Sequence, residues 1–569
     1  MCDAQDSTDD AIPLAYRKET LPCRQNISAM ETPFGFDPVQ VEVWRHLLAS
    51  VAEEMGTTLE RTAYSPNIKE RLDYSCALFD AEGRLLAQAA HIPVHLGAMP
   101  LMLEHLRSRV RWSPGTMWLT NDPRLGGTHL PDLTLVAPVY LPEAGRRSQP
   151  VGYVASRAHH ADIGGLTPGS LPLSTELFHE GLILPPVRLV ERGRIRDDIR
   201  ELVCANSRTP QERRGDLAAQ VGANETGIRR FHALLARYGL AQFRMRTQEN
   251  IAFAAHAIRA AVRTLPPGRY VASDVLDDDG AGNSDIPILL TLALSESGGI
   301  HFDFTGTAAQ TRGSLNATEA ITRSACYYAV RCLVQEEIPT NAGCFADVEV
   351  TAPEGTLVNA RFPAAVAAGN VETSQRIVDV CLRALARAAP YLVPAASQGT
   401  MNNLTIGGAD PERSHPFAYY ETLAGGAGAS PQGPGLSAVH SHMTNTRNTP
   451  VEALESHYPL RVLEYAIAPG TGGGGENRGG NGLLRRIQLL SECRVSLLTE
   501  RRIHAPFGAH GGGNGSPGLN TLQLRGGETK NLPGKWSGNC PAGTVLTVQT
   551  PGGGGWGTPK KGAETLSNG

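Results

Sequence analysis

Glycine clusters repeatedly in the last third of this sequence. Four segments show it, in the order AGGAGASPQGPG, GTGGGGENRGGNG, GAHGGGNGSPG and PGGGGWG. Glycine weakens the interior of helices and strands, so these segments predict loops. Because Trp556, Phe507 and Arg478 stand among the glycines, the loops are expected to be ordered and not free linkers. Residues 401–569 are therefore predicted to form a β-rich region with many glycine loops.

These glycines do not form a phosphate-binding loop. The stretch Gly470–Gly475 satisfies the pattern G-x-G-x-x-G, but ENRGGNG follows it where a helix would have to begin. The P-loop pattern G-x-x-x-x-G-K-[ST] does not occur in the sequence. We expect tight loops that bring backbone close to backbone or to a ligand.

Upstream of the glycine clusters, hairpins alternate with helical blocks. Asp37 can cap a first helix that begins at Pro38. Its apolar stripe is predicted to consist of Val43, Leu47, Val51, Met55 and Leu59. A first hairpin turns at Asp80–Gly83, and a helix is predicted over Leu96–Val110. Together with a second hairpin, these elements define an α/β region over residues 37–209 that holds a candidate metal site.

The middle of the chain contains one helical and one mixed region. Residues 210–265 are helical in pattern. Residues 266–400 read as strand, turn and strand, followed by a helix over Glu372–Ala388. The whole pattern predicts a multi-domain α+β fold.

The bulk composition excludes several classes of protein. Lys and Arg total 52 and Asp and Glu total 56, which gives a net charge of −4. The sequence therefore lacks the excess of positive charge that is typical of nucleic-acid-binding proteins. No run of 18 apolar residues is present, so no membrane span is expected. Residues 1–36 are predicted to be a loose leader without the apolar core of a signal peptide, which predicts a cytoplasmic location. The ten cysteines form no C-x-x-C pair and predict no disulfide scaffold.

The second predicted hairpin brings two polar turns together. Its strands are LTLVAPVYL and PVGYVASRA, joined by an insert centred near residue 145. Antiparallel pairing about that centre places Asp132 opposite about residue 158 and His129 opposite about residue 161. Directly opposed side chains lie roughly 5 Å apart at Cβ. His129, Asp132 and either His159 or His160 can therefore share one cation.

Two imidazoles and one carboxylate suit a divalent metal such as Zn²⁺ or Mn²⁺, with coordination positions left open. Water acidified by such an ion is a nucleophile near neutral pH. The remaining histidine and Asp162 are then predicted to orient a ligand or move a proton. Because this turn fits no standard motif such as H-E-x-x-H, a hydrogen-bonded polar loop without a metal stays the alternative.

Several long motifs of this sequence resemble the hydantoinase B/oxoprolinase family. The resemblance extends from about Phe36 to the TPGGGGWG segment near the C-terminus. The motifs are NIKERLDYSCALFDAEGRLLAQAAHIPVHLGAMP, NDPRLGGTHLPDLTLVAPV, SRAHHADIGGLTPGS, AAGNVETSQRIVDV, YYETLAGGAGA and HSHMTNTRNTPVEALE.

The resemblance implies a partner and a division of roles. In this family a separate A subunit, an ATPase of the actin/hexokinase-like class, usually uses ATP to phosphorylate the substrate oxygen. The B subunit then handles the activated intermediate. The family pattern assigns the metal ligands to His129, Asp132 and His159, which leaves His160 and Asp162 as predicted catalytic residues. It implies a hetero-oligomer with the A subunit and a small cyclic amide as substrate.

Two other polar pairs each have two interpretations. Asp73 and His95 either line the same cavity or make structural hydrogen bonds. Glu372 and Thr373 lie near the predicted helix start, where a carboxylate is favourable for purely local reasons. Helix capping is therefore the favoured interpretation of that pair.

The segment HSHMTNT and one cysteine complete the candidates. The segment offers either a substrate-binding edge or a satisfied polar loop, through His440, His442, Thr444 and Asn445. Cys76 lies in a predicted strand, where a buried thiol is favoured over a nucleophile.

Three functions are compatible with these residues. The first is a B-type subunit of an ATP-dependent cyclic amide hydrolase, with metal-assisted C–N cleavage of a hydantoin, oxoproline or other lactam. The second is a subunit of an acetone-carboxylase-like carboxylase, in which the ion would hold bicarbonate or an activated carboxyl group. The third is a non-catalytic partner that stabilises the A subunit.

Overall fold

The computed structural model describes residues 37–89, 92–142, 149–334, 337–413 and 415–559. The predicted leader and the middle of the hairpin insert lie outside these ranges. The helices are α1 (Pro38–Thr62), α2 (Pro66–Lys69), α3 (Ala98–Arg109), α4 (Asp197–Ala205), α5 (Pro210–Arg263), α6 (Glu319–Arg331), α7 (Ser374–Ala388) and α8 (Val451–His457).

The first sheet contains seven strands in the order β2-β1-β5-β4-β3-β6-β7, and neighbours pair antiparallel. The strands are β1 (Tyr74–Asp80), β2 (Leu85–Gln88), β3 (Met117–Thr120), β4 (Asp132–Val139), β5 (Gly152–His159), β6 (Val187–Glu191) and β7 (Arg194–Ile195). The first hairpin is thus β1–β2, as predicted.

Both faces of this sheet are covered, which explains why its central strands are buried throughout. Successive side chains of a strand point to opposite faces. Cys76 and Leu78 of β1 join the core formed with α1 and α5, whereas Ala77 and Phe79 join the core formed with α3. The sheet is therefore the middle layer of a three-layer sandwich.

The second hairpin is β4–β5, and its register differs from the predicted one by a single residue. Asp132 pairs directly with His159, where residue 158 was expected. The difference arises because the centre of the insert cannot be read from the sequence to better than one residue. The ends of both strands meet as predicted.

Helix α1 starts with the predicted cap, but its buried face differs from the prediction. Asp37 accepts hydrogen bonds from the backbone N–H of Val39 and Gln40 at 3.0 and 3.3 Å. Val43, predicted to be buried, is 43% exposed. A strict four-residue repeat drifts around a helix of 3.6 residues per turn, so it cannot keep one face over four turns. The buried residues of α1 are Val41, Trp44, Leu48, Val51, Ala52, Met55, Gly56 and Leu59.

The predicted helical segment is the long helix α5, which bends at Gly239. That glycine has φ 74° and ψ 155°, outside the helical region. Only glycine adopts this conformation readily, so the bend is encoded at this position.

The second sheet contains four strands in the order β11-β10-β9-β8, with α6 and α7 packed nearby. The pair β10–β11 is parallel, and the other pairs are antiparallel. The strands are β8 (Gly268–Asp278), β9 (Ser284–Leu294), β10 (Ile300–Asp303) and β11 (Val348–Thr351). A π-helical turn, Gly369–Thr373, leads into α7.

The C-terminal region contains two antiparallel sheets that share one core. Their orders are β13-β12-β16-β19 and β14-β15-β20-β17-β18. The strands are β12 (Asn403–Asp410), β13 (His415–Glu421), β14 (Leu460–Ala468), β15 (Gly482–Leu489), β16 (Cys493–Leu498), β17 (Leu519–Gln523), β18 (Thr529–Leu532), β19 (Lys535–Cys540) and β20 (Val545–Gln549). The shared core contains Leu404 and Val495 from one sheet and Ile487 and Val548 from the other.

The glycine loops of this region pack backbone against backbone. A Cβ atom at Gly479 would lie 2.0 Å from the carbonyl oxygen of Gly553. One at Gly555 would lie 2.1 Å from that of Gly474. The loops are thus tight and close-packed, as their composition predicts.

The structure confirms the multi-domain α+β fold class. The strands β1–β7, β8–β11 and β12–β20 fall within the predicted regions 37–209, 266–400 and 401–569, respectively. The division of these regions into separate domains stays a prediction.

Candidate metal centre

Three predicted ligands lie together at the end of the β4–β5 hairpin. Asp132 is the first residue of β4, and His159 is the last residue of β5. His129 lies in the turn just before β4. All three side chains are at most 3% exposed, so the cluster is removed from bulk water.

The donor atoms of these residues converge on one point. The Nε2 atom of His129 lies 3.2 Å from His159 Nδ1 and 3.2 Å from Asp132 Oδ1. Asp132 Oδ1 lies 3.4 Å from His159 Nδ1. Despite these short approaches, Oδ1 is a buried oxygen without a geometrically sound hydrogen bond in the described structure.

This arrangement fits a divalent ion. A buried carboxylate oxygen without a hydrogen bond is rare and calls for an explanation such as a missing ion. Two imidazole nitrogens and one carboxylate oxygen form a donor set suited to Zn²⁺ or Mn²⁺. His129, Asp132 and His159 form such a cluster in the described part of the chain. That they bind a metal stays a prediction.

Neighbouring groups fix the orientation of the first two candidate ligands. His129 Nδ1 faces the carbonyl oxygen of Ala367 at 3.4 Å, which leaves Nε2 turned to the cluster. Thr128 donates to Asp132 Oδ2, and His95 Nε2 lies 3.4 Å from the same oxygen. Such outer hydrogen bonds are typical of metal-binding histidines and carboxylates.

The ring of His159 is held by stacking. It lies against the ring of Tyr420, with centroids 4.7 Å apart and planes at 13°. The guanidinium of Arg71 lies over the same Tyr420 ring, at 4.5 Å from its centroid. The backbone N–H of His159 donates to the carbonyl oxygen of Asp73 at 3.0 Å.

Burial and charge determine the protonation of the cluster. Burial lowers the pKa of His129, but the adjacent Asp132 carboxylate outweighs burial, and the pKa is raised. Burial opposes ionisation of Asp132, yet His129, His159 and His95 hold its pKa well below its usual range. Burial lowers the pKa of His159. An ionised carboxylate and a neutral imidazole are the forms that bind metals.

A small cavity adjoins the cluster, and most of its lining residues carry a polar group. Asp73 and His95 line it, in agreement with one of their two predicted roles. The centre of a water molecule can occupy about 10 Å³ of the cavity, which is roughly the space of one water. The other polar lining residues are Asp132, His159, Asn370, Tyr420, Thr422, Thr444 and Thr446.

The predicted catalytic residue His160 points away from the cluster. Its Nε2 atom lies 3.0 Å from Gln220 Oε1, in helix α5. Burial and the nearby Arg213 lower its pKa to about 4. Consecutive residues at the end of a strand face opposite sides, so His159 faces the cluster and His160 faces α5.

Asp162 is engaged by its own loop. Its two oxygens accept hydrogen bonds from the backbone N–H of Gly164, Gly169 and Arg208 at 2.9–3.1 Å. The guanidinium of Arg208 lies 2.9 Å from Oδ2. These contacts favour a loop-stabilising role for Asp162 over the predicted proton transfer.

Glu372 does not cap helix α7, contrary to the favoured interpretation. Its Oε1 accepts from the backbone N–H of Met401 at 3.1 Å and from Asn403 Nδ2 at 2.7 Å. The wide π-helical turn before α7 places the side chain in the interior, and burial raises its pKa to about 8. Thr373 occupies the capping position without a side-chain capping bond.

Two residues near the cluster are absent from the predicted set. Asn370 Nδ2 lies 3.0 Å from His129 Nε2. Glu180 Oε1 accepts from the backbone N–H of Val366 and Ala367 at 2.9 and 3.0 Å. Asn370 lies 241 residues from His129 in sequence, and only the AAGNVETSQ motif pointed to it.

The remaining candidates have different surroundings. Thr444 lines the cavity and Asn445 is exposed, whereas neither ring nitrogen of the half-buried His440 has a hydrogen-bond partner in the described structure. His442 Nδ1 lies 3.5 Å from the hydroxyl of Tyr328. Cys76 is fully buried, and burial raises the pKa of its thiol, as expected for an inert cysteine.

In the described ranges, each helix is either too short or too polar to cross a membrane.

Fold and cluster together define a multi-domain α+β protein with a buried two-histidine, one-aspartate candidate metal centre. Comparison with known proteins makes the class specific. The family model of hydantoinase B/oxoprolinase matches residues 37–559. The chain belongs to this family.

Two curated relatives are 5-oxoprolinases. The chain is 39% identical to 5-oxoprolinase 1 of Arabidopsis thaliana, over 92% of this chain and 42% of that protein. It is 40% identical to 5-oxoprolinase of Dictyostelium discoideum, over 92% of this chain and 40% of that protein. The chain thus spans about two fifths of the length of these relatives.

Two solved structures share the fold. The ATP-dependent caprolactamase from Pseudomonas jessenii superposes with a TM-score of 0.84 and 28% identity, over 92% of both chains. A nucleotide-free acetone carboxylase structure gives a TM-score of 0.85 over 92% of this chain and 76% of that chain. The second match has 17% identity and shows the fold alone.

Proposed function

We propose that this chain is the B-type subunit of an ATP-dependent cyclic amide hydrolase. A partner A subunit would use ATP to phosphorylate the amide oxygen of the ring. At the cluster of His129, Asp132 and His159, water would then add to the phosphorylated carbon, the C–N bond would break with protonation of the nitrogen, and inorganic phosphate would leave. The observation that carries the proposal is the convergence of three buried donor atoms within 3.4 Å of one another beside a small cavity.

The relatives support this assignment. The 5-oxoprolinases and the ATP-dependent caprolactamase carry names that describe lactam ring opening. A protein of Pseudomonas sp. (strain NS671), whose name makes it the B-type component of a candidate D-/L-hydantoinase, is 30% identical over 92% of this chain and 90% of its own length. The name of that relative supports a B-type role for this chain beside an A-type partner.

The chain's own residues prepare the site for such a reaction. The Ala367 carbonyl orients His129, and the Tyr420 ring orients His159. The hydroxyls of Thr422, Thr444 and Thr446 would bind the polar groups of the activated ring. A bound divalent ion would supply Lewis-acid activation at this point.

The size of the cavity limits how the substrate enters. A space that holds about one water does not hold a five-membered ring. We therefore expect the cavity to widen when the activated substrate arrives from the partner subunit.

The test is ring opening by the reconstituted complex. The chain is co-purified with its A-type partner and supplied with ATP and either 5-oxoproline, hydantoin or caprolactam. Formation of ADP and of the ring-opened product is measured. We expect ring opening to need both subunits, ATP and a divalent metal. ATP-independent ring opening by this chain alone would contradict the proposal.

Substitutions of the cluster separate catalysis from a purely supporting role. His129→Ala and His159→Ala should lower ring opening by more than about 100-fold, beyond the usual effect of residues that only support ligands. His415→Ala, on the exposed end of β13, is the matched control and should keep full activity. If the cluster variants also keep full activity and metal content, the chain is a non-catalytic partner of the A subunit.

Carboxylation is the second candidate, because the fold is shared with acetone carboxylase. It predicts ATP consumption that depends on bicarbonate and a ketone, with no ring-opened product. The same complex distinguishes the two reactions. Its ATP consumption is measured with each cyclic amide and, separately, with bicarbonate and a ketone, and the ring-opened product is measured in parallel.

A further inference from the structure

Asn370 reaches the cluster from a different part of the chain. It lies in the π-helical turn before α7, and its side chain is 4% exposed. Its Nδ2 atom lies 3.0 Å from His129 Nε2. Its Oδ1 atom is buried and has no hydrogen-bond partner. One end of the amide thus touches a candidate ligand while the other is unsatisfied.

The Asn370 amide is oriented with its Nδ2 toward His129, and this orientation is favourable only when no metal is bound to the cluster. His129 Nδ1 faces the Ala367 carbonyl, so Nε2 is the nitrogen available to a metal. When Nε2 gives its lone pair to an ion, it can no longer accept a hydrogen bond from the Asn370 amide. Both ends of the amide would then lack partners, at a cost typical of buried unsatisfied groups.

A half turn of the amide removes this conflict at its His129 end. Oxygen and nitrogen of an asparagine exchange places on rotation about the last side-chain bond, with little change in shape. After the exchange, Oδ1 occupies the position 3.0 Å from His129 Nε2. An amide oxygen is a good donor to divalent ions.

The backbone around Asn370 is held firmly enough to present a ligand. A Cβ at Gly369 would lie 1.9 Å from the carbonyl oxygen of Asn316, so the turn packs directly on that backbone. The hydroxyl of Ser374 donates to the Asn370 carbonyl at 2.6 Å. Turns with π-helical geometry are frequent at functional sites.

We propose that Asn370 is a fourth protein ligand of the metal centre and binds the ion through Oδ1. This proposal rests on the metal centre proposed above. It changes the donor set from two nitrogens and one oxygen to two nitrogens and two oxygens. Because oxygen donors suit Mn²⁺ better than Zn²⁺, Asn370 shifts the preference of the site toward Mn²⁺.

The test measures metal affinity of the full chain without reference to activity. Metal-free protein is titrated with Mn²⁺, and free Mn²⁺ is followed by its electron paramagnetic resonance signal. Zn²⁺ affinity is measured by competition with a chromophoric chelator. The variants are Asn370→Ala, Asn370→Asp and His129→Ala. The control is Asn341→Ala, a buried asparagine in the turn before β11 that contacts Asn250 and Gly343.

We expect Asn370→Ala to weaken Mn²⁺ binding by at least about tenfold and Zn²⁺ binding by less. Asn370→Asp, which keeps an oxygen donor, should retain Mn²⁺ binding. His129→Ala should lose both metals, and Asn341→Ala should bind as the unmodified chain does. Circular dichroism verifies that each variant is folded.

The other outcomes are distinguishable. If Asn370→Ala binds Mn²⁺ normally while His129→Ala does not, Asn370 is not a ligand and the metal centre stands. If Asn370→Ala weakens Mn²⁺ and Zn²⁺ binding equally, the proposed role of Asn370 is also wrong. The same holds if Asn341→Ala loses as much Mn²⁺ affinity as Asn370→Ala. If His129→Ala binds both metals normally, the proposed metal centre itself is wrong.

Discussion

Glu180 should make the stability of this protein depend on pH. The side chain is fully buried, and burial raises its pKa to about 7 although Oε1 accepts three hydrogen bonds. Its second oxygen has no hydrogen-bond partner. The neutral acid is therefore the form that suits the folded interior near neutral pH.

The magnitude follows from the shift in pKa. A rise from 4.5 to about 7 corresponds to about 3 kcal/mol in the free energy of unfolding. Because the folded-state pKa is raised, this stabilisation is complete below pH 4.5 and is lost as the pH rises through 7. About 2 kcal/mol of it is lost between roughly pH 5.5 and 8.

The substitution Glu180→Gln should remove this dependence. Glutamine keeps an oxygen that accepts from the N–H groups of Val366 and Ala367 but does not titrate. Urea unfolding of metal-free protein is measured at pH 5.5 and pH 8. From pH 5.5 to pH 8, the free energy of unfolding of the unmodified chain should fall by about 2 kcal/mol more than that of the variant.

The control for this experiment is Glu528→Gln, whose carboxylate is 63% exposed. It should leave the pH dependence unchanged. If Glu180→Gln shows the same loss of stability with pH as the unmodified chain, the inference that Glu180 is buried as a neutral acid is refuted.

Three further substitutions test other parts of the structure. Asp162→Asn should lower the free energy of unfolding by about 1–3 kcal/mol and leave Mn²⁺ affinity unchanged. A loss of Mn²⁺ binding in this variant would instead support the predicted functional role of Asp162. Gly479→Ala should lower the thermal midpoint because its Cβ would meet a carbonyl oxygen at 2.0 Å, whereas Gly474→Ala, with nothing within 4 Å, should not. Cys76→Ala should keep ring opening in the reconstituted complex, because a buried thiol of raised pKa is no nucleophile; loss of activity in a folded variant would argue otherwise.

The hairpin and its polar ends could be predicted because the relevant signals are local. Two apolar runs around a polar insert define antiparallel pairing, and pairing brings the two ends together whatever the details of the insert. To choose between His159 and His160 as the candidate ligand, the pairing register of β4 and β5 has to be known to within one residue. With Asp132 opposite His159, cross-strand neighbours share one face of the sheet, and strand alternation turns His160 to the other face.

Asn370 and Glu180 could not be predicted in the same way. Their positions depend on how the region around α6 and α7 packs against the first sheet, and no periodicity of either segment encodes that contact. Asn370 lies 241 residues from His129 in sequence. Asp162 shows the opposite problem, since its proximity to His159 in sequence suggested a shared role that the Arg208 contact does not support.

The cluster combines segments with different tasks. The hairpin supplies His129, Asp132 and His159, and the turn before α7 supplies Asn370. Part of the cavity wall comes from the C-terminal region, through Tyr420 and the three threonine hydroxyls. Because these threonines belong to a different segment from the proposed ligands, substitutions of this part of the wall are expected to change the accepted ring without changing the proposed metal centre. We therefore expect members of this family that open different rings to differ chiefly in the wall.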